Sequence, residues 1–170
     1  MFNYLFLASF TSYFFKNLNT LIIIIGSLVL SKLSLLTALI FIFVSSLKLT
    51  SSINRDMHRE IRRNFVQYSK VFPLSASLGF KVSPKIYRLT VGWTELTLGL
   101  FMVLIPGVIK QIANIALLLL TLLALYTHLM INDKFERIAP SIVFTLMLTC
   151  RLVVFWQVKQ KGISVKTKEE

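Results

Sequence analysis

Two ionisable residues stand in stretches of sequence that leave no room for water. Glu95 falls near the middle of the apolar run from Ile86 to Ile105, and Arg151 near the middle of the run from about Ser141 to Val158. An isolated charge at the centre of a bilayer costs about 2.5–3.5 kcal/mol on insertion scales, so each should turn inward and meet a partner. If the two runs are helices pointing the same way, ~1.5 Å per residue brings their depths to within about a turn. The expectation is a buried Glu95–Arg151 ion pair, direct or through a water. On a third apolar run, Asn114, Leu117, Thr121, Ala124 and His128 recur at seam spacing and should also face inward. Glu95, Arg151, His128, Asn114 and Thr121 make up the expected intramembrane polar network. An acid, an imidazole and a guanidinium in one bundle could line a site for a proton, a quinone or a lipid. They could equally do no more than fix helix register. No metal-ligand spacing, no nucleophile with a paired base and no phosphate loop accompanies them. No metal site is therefore expected, and the signal for an enzyme is weak.

These groups need a scaffold in lipid, and the composition supplies one. Of 170 residues, 55% are hydrophobic and 15% charged, with a mean hydropathy of +0.73. A soluble domain of this size could not cover itself with so little polar surface. The apolar residues come in blocks of about 20, the length that crosses ~30 Å of hydrocarbon. The fold class expected is an all-α membrane protein, a four-transmembrane-helix bundle. Its crossings fall at about 29–48, 86–105, 112–130 and 141–158, with Pro140 in the first turn of the last. Lys32 and Lys48 should snorkel to opposite interfaces. Ser34, Ala38, Phe41 and Ser45 share a packing face, and Gly92 and Gly99 flank Glu95 where helices can approach closely. Residues 1–28 read as an N-terminal extension, interfacial or poorly ordered over 1–20, with 29–158 as the membrane domain and 159–170 as a basic tail. The lone Cys150 permits no internal disulfide and reads as a small buried hydrophobe.

Between the first two crossings lies the main polar segment. Ile53, Met57, Ile61, Phe65, Tyr68 and Phe72 recur at three- and four-residue spacing, with Arg55, Arg59, Arg62 and Arg63 largely off that stripe. This predicts an amphipathic helix over 53–72, ended by Pro73. Such a basic helix beside a membrane usually lies in the interface. The alternative is a docking face for a partner protein, built from Arg55, Arg59, Arg62, Arg63 and Tyr68. The net charge is +12, but the bases flank apolar blocks, so membrane lipids rather than nucleic acid are the expected counter-surface.

The final residues, Lys166-Thr167-Lys168-Glu169-Glu170, place lysines at the third and fifth positions from the end. Lys166 and Lys168 match the dilysine retrieval signal of endoplasmic reticulum membrane proteins, which is read in the cytosol. Counting Lys and Arg by the positive-inside rule would instead put this tail in the lumen. Many of the opposing bases belong to the interfacial helix, so the tail signal is preferred. The expected setting is a multi-pass endoplasmic reticulum membrane protein with a cytosolic C-terminus.

From about Leu33 to Val154 the sequence resembles the nicotinic acetylcholine receptor chaperone (NACHO) family, placed within DoxX-like four-helix membrane proteins. The resemblance rests on Lys48-Leu49-Thr50, the spaced Asp56, Glu60, Arg63, Tyr68 and Pro73, Gly92 with Glu95, and Ile105-Pro106-Gly107. It continues through Ala113-Asn114, Leu118 to Leu120, His128 and Asp133 to Val143-Phe144 and Leu148-Thr149-Cys150-Arg151-Leu152. It implies a non-enzymatic chaperone that promotes folding and assembly of pentameric acetylcholine receptors, with receptor subunits as partners and no cofactor. Phe65-Val66-Gln67-Tyr68 and Val71-Phe72-Pro73-Leu74 look closer to a sister branch, whose client could differ. Two rivals stand beside this reading. One is a DoxX-like membrane enzyme or redox subunit using Glu95, His128 and Arg151 on a lipophilic substrate. The other is a structural membrane organiser without a client. A homo-oligomer is compatible with any of the three.

Overall fold

Among the described residues the buried side chains are more often polar than apolar, and that inversion is what a lipid surround favours. Ser34, Thr37, Ser45, Asn114, Thr121 and Arg151 lie inside, while Leu28, Leu36, Leu39, Phe43, Leu119 and Leu146 lie outside. In water such exposed apolar surface would drive association. In lipid the same arrangement is stable, because outward leucines meet acyl chains and inward polar groups meet one another.

The structure is a computed structural model. It describes the backbone of residues 2–72 and 82–166, and side chains for 20–72 and 82–160. The described residues form helices only: α1 (Phe2–Leu49), α2 (Arg55–Tyr68), α3 (Pro84–Leu104), α4 (Val108–Met130) and α5 (Phe135–Lys166). Three segments are long and apolar enough to cross a membrane: Thr20–Leu49, Val108–Met130 and Phe135–Gln160. The helix α3, which carries Lys85, Arg88 and Glu95, is not among them.

Several boundaries differ from those expected. No separate element precedes residue 29, because α1 runs unbroken from Phe2. The sequence explains this: no proline occurs before residue 73 and no glycine before Gly26, so nothing interrupts the helix. The amphipathic helix is shorter than 53–72. Asn54 caps it by accepting from the Asp56 and Met57 N–H groups, both at 3.0 Å, which leaves Ile53 outside and exposed. Pro73 lies outside the described residues. Pro140 sits inside α5 rather than in its first turn, since that helix already begins at Phe135. Cys150 is exposed, contrary to the buried position expected of it.

Two turns set the ends of α4. Gly107, between α3 and α4, has φ +82° and ψ −141°, a conformation that only glycine adopts without strain. At the far end of α4, Asn132 adopts φ +49°. Its N–H donates to the Leu129 carbonyl at 3.2 Å, and the Asp133 N–H donates to the His128 carbonyl at 3.0 Å. This is the Schellman pairing that closes a helix with a left-handed residue, a role asparagine fills when glycine does not.

The chain divides into two compact units, Ser34–Cys150 and Met1–Leu33 with Arg151–Glu170. In the first, Ala38 and Phe41 of α1, Met102 of α3, Ala113 and Leu117 of α4 and Leu148 of α5 form one core. Phe41 and Phe144 add a ring contact at 5.1 Å. Helices approach closely where glycine lets them. A Cβ on Gly99 would come within 3.2 Å of Ile42, and one on Gly92 within 3.0 Å of Leu49. In the second unit, a Cβ on Gly26 would come within 2.7 Å of the Val158 side chain.

Candidate functional site

The site begins where α1 ends. A helix leaves its last carbonyls without intrahelical donors. Here side chains from two other helices supply them. The Nδ1 of His58 on α2 donates to the Leu47 carbonyl at 2.8 Å. Because a carbonyl can only accept, the proton sits on that nitrogen. Arg88 on α3 donates to the neighbouring Lys48 carbonyl. Both side chains are buried. They act as a C-cap in trans, and they fix α2 and the start of α3 against the end of α1.

With its backbone held, the Lys48 side chain turns inward. Its Nζ donates to both carboxylate oxygens of Glu95 at 2.6 Å, with side chains only 15% and 9% exposed. The expected partner of Glu95 was Arg151, and Lys48 was expected to snorkel outward. The structure pairs Glu95 with Lys48, within one compact unit. Sequence spacing reports depth along a helix but not which neighbour faces the group. Arg151 belongs to the other unit, where it is fully buried.

A second charged cluster gathers around Asp133. Its Oδ2 accepts from His128 Nδ1 at 3.0 Å and from the Tyr68 hydroxyl at 3.4 Å. Its Oδ1 accepts from Arg137 at 3.2 Å and from the Lys134 N–H at 3.0 Å. Arg137 reaches on to Glu60 of α2 at 3.2 Å. The Asn132 turn makes this possible by folding Asp133 back over the last turn of α4. Burial alone would push the Asp133 carboxyl up, but the bonds from His128 and Lys134 and the Arg137 charge outweigh it and hold the acid ionised. The Tyr68 hydroxyl is driven the other way, first by burial and then by the Asp133 charge, so it stays protonated and acts as a donor.

Between the two clusters lies a cavity of about 360 Å³, lined by all five helices, with residues as far apart in sequence as Phe41 and Phe144 on its wall. Lys48 and Glu95 lie in its lining, as do Glu60, Tyr68, His128 and Arg137. An aromatic run adds to this region: Phe65 meets Tyr68 at 5.5 Å and Tyr87 at 5.3 Å, and Tyr68 meets His128 edge-on at 5.1 Å. Such a space suits a guest that is mostly apolar with one or two polar groups. No group of three or more metal-ligating side chains occurs among the described residues.

The other residues expected at a site are dispersed. Asn114 is fully buried, and its Nδ2 donates to the Leu148 carbonyl at 3.2 Å, tying α4 to α5. Thr121 lines the cavity, with its hydroxyl donating to Leu118 of its own helix. Arg55, Arg59, Arg62 and Arg63 are exposed along α2, while Tyr68 is half-buried. Lys166 ends α5 with its side chain outside the described residues, and Lys168 lies outside them altogether. The structure adds His58, Lys48, Arg88, Glu60 and Arg137. For Arg137 a signal existed, since it stands four residues after Asp133, at the spacing of helical neighbours. For His58 none did, because a cap in trans has no sequence spacing.

No family model matches the chain. A protein of Xenopus tropicalis named novel acetylcholine receptor chaperone is 36% identical over 129 residues, 76% of this chain and 78% of its own. Proteins of the same name from Mus musculus and Bos taurus are 35% identical over 122 residues. These cover 72% of this chain, and 72% and 68% of their own lengths respectively.

Proposed function

The chain belongs to the novel acetylcholine receptor chaperone family, and from that footing we propose that it is a membrane chaperone promoting folding and assembly of nicotinic acetylcholine receptors. Its partners are unassembled receptor subunits. The observation that carries this reading is identity of 35–36% spread over most of both chains, which the DoxX-like alternative lacks. The homologues' names favour a chaperone over an enzyme.

The physical task fits the site. Before assembly, a subunit exposes small and polar faces that are costly in lipid. A chaperone for them needs an intramembrane surface of the same character, held open by groups already paired at home. Lys48–Glu95 and the Asp133 cluster hold the charges of such a surface in place, with Asn114 and Thr121 in the same compact unit. On this reading α3 is the fourth crossing despite its charges, because Glu95 is paired and Arg88 sits at the entrance. The helix α2 lies in the interface between the first two crossings. The tail signal Lys166 and Lys168 supports an endoplasmic reticulum location with a cytosolic C-terminus.

The test is co-expression with acetylcholine receptor subunits and measurement of surface toxin binding. The chaperone reading predicts a rise in surface receptor with subunit transcripts unchanged. Surface receptor equal to that without the chain would refute it.

A further inference from the structure

Between Glu60 and Glu95 the sequence contains no acidic residue, yet it contains Arg62, Arg63, Lys70, Lys81, Lys85 and Arg88. The fold concentrates this imbalance. Arg59, Arg62, Arg63 and Val66 stand at i, i+3, i+4 and i+7 on one face of α2, and that face opens onto the start of α3. The cleft between them is about 710 Å³, lined by those residues with Ser83, Pro84, Lys85 and Arg88, and among the described residues no carboxylate is in its lining. Arg59 has only a loose, exposed contact with Asp56 at 3.6 Å. Among the described residues no carboxylate pairs with Arg62, Arg63 or Lys85. The end of α3 adds to the field. Ser83, at its N-cap, makes no side-chain capping bond, and Pro84 follows. The backbone N–H groups of Lys85 and Ile86 therefore have neither an intrahelical acceptor nor a Ser83 hydroxyl. They lie at the positive end of the helix dipole.

We propose that this cleft binds the phosphate of an anionic membrane lipid headgroup. Five cations sharing one concavity repel one another unless an anion sits among them, and arginine forks match phosphate oxygens two at a time. A lipid is the source favoured by the surroundings. Val66 lines the cleft, and the neighbouring Ile86 and Trp93 expose apolar surface along α3 below it, where acyl chains would run. The headgroup then sits at the interface and its tails follow the helix.

The experiment uses the full chain purified in mild detergent, titrated with dioctanoyl phosphatidylinositol 4-phosphate. Parallel arms use dioctanoyl phosphatidylcholine and inorganic phosphate. Arg62→Ala/Arg63→Ala/Lys85→Ala is compared with Lys70→Ala/Lys134→Ala/Lys159→Ala, which removes equal charge elsewhere. The inositol lipid should bind, and the cleft variant should weaken it at least about tenfold while the control changes it by less than about threefold. Equal losses in both variants would reduce the effect to net charge and overturn the proposal. So would unchanged binding in the cleft variant, or no binding by the wild-type chain. Inorganic phosphate binding as tightly as the lipid would overturn the lipid source, and phosphatidylcholine doing so would overturn the anion chemistry. If the triple variant melts early, Arg62→Gln/Arg63→Gln against Lys70→Gln/Lys134→Gln carries the same comparison, because both arginine side chains are exposed.

Discussion

The Lys48–Glu95 pair allows its own contribution to be measured by a double-mutant cycle. Lys48 Nζ meets both carboxylate oxygens at 2.6 Å, and neither side chain has much access to solvent. Removing one partner of such a pair leaves a stranded charge and typically costs about 3–5 kcal/mol. Lys48→Met strands Glu95 partway along α3, where it has no route out, so the cost should be about 3 kcal/mol or more. Glu95→Gln should cost less, about 2 kcal/mol, because Lys48 lies in the last turn of α1 and its long stem can carry the ammonium towards the interface. The double variant strands nothing and keeps similar volumes, so it should lie within about 1 kcal/mol of wild type. For a chain of this size each kcal/mol shifts the melting temperature by about 2–4 °C, so Lys48→Met should melt roughly 6–12 °C early. Thermal unfolding in detergent, followed by the fluorescence of Trp93 and Trp156, reads all four corners. Singles that simply add, with coupling below about 0.5 kcal/mol, would show that the pair is a surface contact and that its buried, doubly bonded geometry is wrong.

Substitutions at three other positions test the Asn132 turn, the acid cluster and the helix contact. Asp133→Asn should cost about 1.5–3 kcal/mol at neutral pH, since it removes the charge that four donors share. The native Asp133 pKa lies below that of the unfolded chain, so this contribution is complete above the ordinary carboxylate value and is lost as pH falls through the native one. Melting curves of the two proteins should therefore stay separated at about pH 5 and converge only below about pH 4, and convergence by about pH 6 would refute the assignment. Asn132→Val should lose about 1–2 kcal/mol by forcing a β-branched residue to positive φ, whereas Asn132→Gly should melt near wild type. Gly92→Leu should cost about 1–3 kcal/mol by driving into Leu49 and the Lys48 Cβ, and that loss should shrink when Glu95→Gln is already present.

What could be read from the sequence was whatever periodicity encodes. Ser34, Ala38, Phe41 and Ser45 share a face by spacing, and all four are buried. Glycines placed either side of Glu95 announce a close approach, and α1 makes it. Asn114, Leu117 and Thr121 face inward as their seam implies. Partner choice was not readable. A residue count gives Glu95 a height in the membrane, but its azimuth depends on how neighbouring helices are arranged around it. The snorkelling expectation for Lys48 failed for a related reason. It treats a lysine near a helix end as alone with the solvent, while His58 and Arg88 had already converted that helix end into a packed junction. The continuous α1 was hidden because the Phe-rich start carries no strong amphipathic signal, although its lack of glycine and proline pointed towards helix.

The two sides of α2 differ in what they contact. Its inner face is committed to the chain's own fold. His58 caps α1, Phe65 packs on Tyr87, Tyr68 reaches Asp133 and Glu60 holds Arg137. Those bonds tie the helix to α1, α3, α5 and the α4–α5 loop, so its position does not depend on lipid attraction alone. The outer face keeps Arg55, Arg59, Arg62, Arg63 and Val66 exposed. A helix merely floating in the interface would turn its apolar stripe to lipid and its bases to water. Here the stripe is largely used inside, so the bases and Val66 are what remains for anything else to touch. If a client subunit and a lipid headgroup both use α2, they would meet that surface, so substitutions at Arg62 and Arg63 should report on either, whereas substitutions at His58 or Tyr68 should act first through stability.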